Sequence, residues 1–239
     1  MKLTIQTFID GREVPRGQVL DWERRRAQVV LRKLGVTPLG SDVPTLNRQL
    51  LARKLELGPD RILHLLRLEL AVSDQFAALT ARLSFGARRF SMIELVVDGG
   101  AARQFVDWFN ERGRINDETA MLAGTPDHYV LRIGPSGAQE VVETTGGSPS
   151  ATRFFIDYDD LSSLRSTIDL DYPLQIAGVA RSAKGLAIGG VRHQFRDEGR
   201  GFRVRLLVEF PLLILPSIVS GHQWHLASEF SHWIEAAFA

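Results

Sequence analysis

The residues best able to do chemistry lie near the C-terminus, in the run His222-Gln223-Trp224-His225-Leu226-Ala227-Ser228-Glu229-Phe230-Ser231-His232. His225 and Glu229 are four apart. On a helix such a pair stacks on one face with Cβ atoms about 5–6 Å apart, close enough to share one cation. His222 and His232 fall on nearly the same stripe. The plain alternative is a helix face whose polar groups cap or meet solvent, because a His/Glu pair at this spacing is common. A second pair of ligands separates the two readings.

One hairpin offers that pair. Tyr129 to Ile133 and Ala138 to Thr145 are β-rich runs flanking Gly134-Pro135-Ser136-Gly137, a turn by composition. Symmetric closure sets Ile133 against Ala138, Leu131 against Glu140 and His128 against Glu143. Directly opposed residues share a face, with Cβ atoms about 4.5–5.5 Å apart. Val130 and Val141 are expected on that same inward face, and a one-residue bulge would part His128 from Glu143. Read without a metal, His128 is a turn residue after Pro126-Asp127 and Glu143 an exposed strand carboxylate. Two imidazoles and two carboxylates around one ion suit Zn2+, with an open position for water or substrate. His193 alternates with Val191 and Phe195 on what should be an inward strand face. It is either a group that exchanges a proton with a substrate, a catalytic role it would share with Glu143, or a hydrogen-bonded core histidine. His64, on an N-terminal helix, reads as structural.

The elements that must position these groups divide the chain near residue 88. Before it the pattern is helical: Asp21 caps a helix ending at Gly35, Leu46 to Leu57 form a second helix stopped by Gly58, and Pro59 opens a third, with a break expected near Ser73-Asp74. After it come strands at Ser91 to Val97, Arg153 to Tyr158, Leu174 to Arg181, Ala187 to Arg196 and Phe202 to Phe210. A short amphipathic helix over Ala101 to Glu111 and a closing helix from His222 to Ala237 complete the outline. An antiparallel sheet followed by one long C-terminal helix predicts an α+β, helix-grip fold of the START and Bet v 1 kind, the sheet wrapped on the helix around a cavity for an apolar ligand. Residues 88–239 would form this catalytic domain, and residues 1–87 an N-terminal helical extension that caps the cavity or joins two chains as a homodimer.

Composition narrows the functions. Lys plus Arg number 29 against 28 for Asp plus Glu, so the net charge of +1 gives no reason to expect a nucleic acid or an anionic membrane as partner. With no cysteine, thiolate catalysis and thiolate metal sites are excluded. Met1 to Gln6 has no apolar signal segment, and the longest apolar run, Leu206 to Val219, is broken by Glu209, Pro211 and Pro216. A cytoplasmic location and a hydrophobic small-molecule partner are the expectations. Neither a phosphate-binding glycine loop nor a Gly-x-Ser-x-Gly elbow is present.

Over roughly residues 90–239 the sequence resembles the 2,4-diacetylphloroglucinol hydrolase and phloretin hydrolase family. The likeness is carried by Asp107-Trp108-Phe109, Pro126-Asp127-His128, Val141-Val142-Glu143-Thr144-Thr145-Gly146-Gly147, Val191-Arg192-His193-Gln194-Phe195-Arg196-Asp197 and His225-x-x-x-Glu229. The resemblance implies a zinc enzyme that cleaves the carbon–carbon bond between an acyl carbonyl and a phenolic ring. His128, Glu143, His225 and Glu229 would be the ligands, with Asp157 and Asp159 as rivals to Glu143, and Tyr129, Tyr158 and Tyr172 as candidates to bind the phenol. The reading set against it is a noncatalytic helix-grip module that binds a hydrophobic small molecule.

Overall fold

A computed structural model describes residues 3–239. The chain begins with a hairpin, β1 (Thr4–Ile9) and β2 (Arg12–Val14), turned by Asp10 and Gly11, both at positive φ. Helices α1 (Arg16–Lys33) and α2 (Val43–Leu83) follow. Next come β3 (Arg88–Asp98), α3 (Ala102–Arg114), α4 (Glu118–Leu122), β4 (His128–Ile133) and β5 (Gln139–Glu143). A short 3-10 turn (Thr145–Gly147) leads to β6 (Thr152–Asp157), β7 (Leu174–Arg181), β8 (Ala187–Glu198), β9 (Gly201–Pro211) and the closing helix α5 (Pro216–Ala237).

All nine strands form one antiparallel sheet in the order β2-β1-β3-β9-β8-β7-β6-β5-β4. This corrects the expected helix-grip fold with a helical extension. Residues 4–14 form two strands rather than a helical cap, and β1 pairs with β3 from Thr4↔Asp98 to Ile9↔Ile93, so this segment is woven into the sheet. Among the described residues the fold is an antiparallel nine-stranded sheet with five α-helices.

Two apolar clusters hold it. The larger joins the sheet to α3 and α5 through Phe105, Phe109, Leu131, Val141, Phe195, Phe202, Phe230 and Trp233. The smaller joins α1 and α2 to the opposite face of the β4–β5 end, through Ala27, Val30, Leu31, Leu46, Leu50, Ile62, Leu66, Val130 and Val142. Burying a side chain of this size contributes about 1.5–3 kcal/mol, so both layers are strongly attached. In α2 the backbone turns at Gly58, φ 68° and ψ 163°, just before Pro59. The break expected at Ser73-Asp74 does not occur, and Ser73 is buried within the helix. No helix among the described residues is long and apolar enough to cross a membrane.

Candidate metal centre

The C-terminal helix starts at Pro216, whose fixed φ suits a first helical position. It then passes the 3-10 turn after β5 at backbone contact. A Cβ on Gly221 would lie 2.1 Å from the Gly146 carbonyl oxygen, and one on Gly146 would lie 2.2 Å from that of Ile218. Only glycine fits either place, and Gly146 also has φ +60°. Because the two segments touch here, the next turn of α5 carries His222 and His225 to Glu143, the last residue of β5.

The hairpin reaches the same point by an irregular route. His128 opposes Glu143, but Leu131 opposes Val141, Arg132 opposes Glu140 and Ile133 opposes Gln139, with a bulge between His128 and Val130. The register is thus offset by one from symmetric closure, and the bulge at Tyr129 restores the pairing of His128 with Glu143. Val130 consequently lies on the α1–α2 side with Val142, whereas Val141 faces the cavity with Leu131. The expected shared face of Val130 and Val141 is corrected accordingly.

His128, Glu143 and His225 are buried, and each brings a ligand atom within 4.8 Å of the other two. His128 Nε2 stands 3.3 Å from His225 Nε2 and 3.5 Å from Glu143 Oε2, and His225 Nε2 is 3.6 Å from the same oxygen. Glu229 lies 3.2 Å from His128 Nε2 and 3.9 Å from His225 Nε2. Donors about 2.0–2.2 Å from a tetrahedral ion are themselves about 3.3–3.6 Å apart, the spacing of the trio. The other oxygen of Glu143, Oε1, is buried without a hydrogen-bond partner. The trio can therefore hold a metal ion. Asp157 instead accepts from the backbone N–H of Asp159, which is itself exposed, so neither joins the cluster.

The ligand rings are wedged by aromatic neighbours: His128 against Trp233 at 5.8 Å between centroids, and His225 between Trp22 at 6.4 Å and a stacked His222 at 4.9 Å. Burial opposes a charge on His128, but Glu143 and Glu229 outweigh it and push its pKa up to about 9. Burial likewise opposes ionisation of Glu143, yet His225, His128 and His222 hold it well below the usual carboxylate range. Burial lowers the pKa of His225 and raises that of Glu229. The site is a buried set of nitrogens and carboxylates sharing positive charge, a place that a metal cation could take.

These groups form one wall of a cavity of about 380 Å3, otherwise lined by side chains such as Phe109, Leu131, Val141, Phe154, Ile156 and Phe230. His193 lines it too, its ring edge-on to Phe230 at 4.8 Å. Its Nδ1 accepts from the backbone N–H of Leu207 at 3.3 Å, which leaves the proton on Nε2. Burial lowers its pKa to about 3, so it is a neutral hydrogen-bond donor rather than a proton store. Of the tyrosines, Tyr158 lines the cavity with its hydroxyl 2.9 Å from Gln139 Oε1. Tyr129 belongs to the α1–α2 layer, and Tyr172 lies under Arg196.

Sequence reasoning passed over two features of the site. His222 was placed on the right stripe but given no role, although its Nε2 comes 3.8 Å from Glu143 Oε1 and its pKa is lowered to about 4, chiefly by burial. Arg26 of α1, which the sequence analysis gives no role, pairs with the buried Asp127. The three-residue spacing from His225 marks His222, whereas no local signal marks Arg26. His64 lies on the outer layer, in α2. No protein-family model matches the chain, and no curated protein matches it.

Proposed function

We propose that this protein is a zinc-dependent hydrolase that cleaves a carbon–carbon bond between an acyl carbonyl and a phenolic ring, or in a related ketone. The carrying observation is the spacing of the His128, Glu143 and His225 donors, 3.3 to 3.6 Å apart, in the wall of a largely apolar cavity. Neutral imidazoles with carboxylate oxygens and no thiolate favour zinc. Glu229 is the fourth donor within reach. The motif resemblance along residues 90–239 supplies the bond that is cleaved.

The chemistry that zinc supplies in such a set is Lewis acidity toward the carbonyl and toward water. The protein must do the rest. Water adds its oxygen to the acyl carbon, the aryl–acyl bond breaks, and the ring carbon takes a proton, giving a carboxylic acid and a deacylated phenol. The attacking water gives up that proton, and Glu143 stays ionised as a ligand. His193 donates from Nε2 to a substrate oxygen, and Tyr158 offers a hydroxyl at the same wall. The apolar side chains seat the ring and keep bulk water out.

Protein purified without added metal should carry roughly one zinc per chain by elemental analysis. A folded His225→Ala, Glu229→Ala double variant should carry none. Loaded protein should release acid and free phenol from an acylated phenol and stop when a chelator removes the metal. Background zinc in the wild type sinks the metal; full zinc with binding but no acid release leaves a binding protein instead of an enzyme.

A further inference from the structure

Both sheet ligands have a neighbour in one buried knot. Asp127, fully buried, precedes His128, and Thr144, fully buried, follows Glu143. Arg26 reaches in from α1. Its Nε donates to both Asp127 carboxylate oxygens at 3.0 Å, and its Nη2 donates to Asp127 at 2.7 Å and to the Thr144 hydroxyl at 3.1 Å. The Thr144 hydroxyl in turn donates to Asp127 Oδ1, and the Thr144 backbone N–H donates to the Asp127 carbonyl at 3.1 Å. Below it, the ammonium of the buried Lys54 in α2 donates to the carbonyls of Pro126 at 3.0 Å and Thr125 at 3.4 Å. The Arg26 stem packs under Gly147, where an added Cβ would stand 3.3 Å from its Cδ.

None of Arg26, Asp127 or Thr144 lines the cavity, so none meets a substrate. A buried ion pair is a costly way to gain stability, since well-packed apolar residues often do as well. What a forked, multiply bonded pair provides is geometry. Here it fixes the separation of two segments where the β4–β5 register is broken by a bulge, and that separation sets the distance from His128 to Glu143.

We propose that Arg26 is a positioning residue for the metal centre: through Asp127 and Thr144 it clamps the His128 and Glu143 segments at coordinating distance, making α1 part of the site. The inference rests on the metal reading above. Outer partners of this kind change metal affinity by about 10–100-fold.

The test uses Co2+ as probe, with its visible absorption as a direct signature of coordination. Arg26→Lys keeps the charge but loses the fork, and Thr144→Val removes one hydroxyl at nearly constant volume, so each leaves the rest of the core in place. Both variants, folded by circular dichroism, should bind Co2+ about 10–100-fold more weakly with an altered visible band. Arg26→Lys should retain more affinity than Arg26→Gln. Variants that melt earlier yet bind Co2+ with wild-type affinity and spectrum would show a merely structural clamp and overturn the inference. Wild-type protein that takes up no Co2+ overturns the metal reading itself, and this inference with it.

Discussion

His193 and His222 are kept as neutral rings in the cavity wall, with pKa values lowered to about 3 and about 4. A histidine depressed below its ordinary value of about 6.5 binds a proton more readily when the chain is unfolded, so stability is lost as pH falls below about 6.5. For His193 the loss is on the order of 2 kcal/mol at pH 5. Urea unfolding of metal-free protein at pH 7 and pH 5 should show it, and His193→Gln should remove that share; an equal acid sensitivity in the variant would refute the assignment. His128 has the opposite sign: its contribution in metal-free protein is present below about 6.5 and lost as pH rises through about 9. At this scale the sequence was informative for the helix pair, because the spacing of His225 and Glu229 alone puts them on one face. The His128 and Glu143 pairing followed from a register that was wrong by one and a bulge that made up the difference, a compensation no single strand encodes.

Gly146 and Gly221 let the turn after β5 and the second turn of α5 meet at backbone distance. Gly221→Ala puts a methyl into a carbonyl oxygen that cannot move without shifting the turn. It should cost about 1–3 kcal/mol, the usual range for overpacking. It should also cost metal, because the shift carries His222 and His225 away from Glu143; thermal melting and zinc content should fall together. Retention of zinc at a lowered melting point would mean that the contact serves packing alone. Most strands and helices were legible from periodicity, but the hairpin of β1 and β2 was not. Its inward positions are only partly buried, apart from Thr7, so apolar alternation is weak there. The helix-grip outline failed because it was drawn from residue 88 onward. The pairing of β1 with β3, and the insertion of β9 between β3 and β8, join segments far apart in sequence and leave no local trace.

Across the whole molecule, α1 is tied to α5 by polar contacts as well as by apolar packing. His232 Nε2 lies 2.8 Å from the buried Glu23, which also accepts from Asn47, and Arg16 reaches Glu235 at 3.3 Å. Burial opposes the charge on His232, but Glu23 and Glu235 raise its pKa to about 9. That stabilisation is present below about pH 6.5 and fades as pH climbs through 9. Glu23→Gln should lower stability at pH 6 by on the order of 2 kcal/mol, a charged hydrogen bond's worth, and the gap to wild type should shrink by pH 10. A gap that does not narrow would assign the effect to packing.

The two imidazoles proposed as ligands rest against indoles, His128 on Trp233 and His225 on Trp22, so the protein has a built-in optical reporter. A protonated imidazole quenches a neighbouring indole, and the His128 ring of the apo form holds its proton at neutral pH. Adding zinc to chelated protein should therefore brighten the intrinsic emission. Trp233→Phe should abolish most of the change, and a titration that leaves the wild-type spectrum flat would show that no cation replaces that proton.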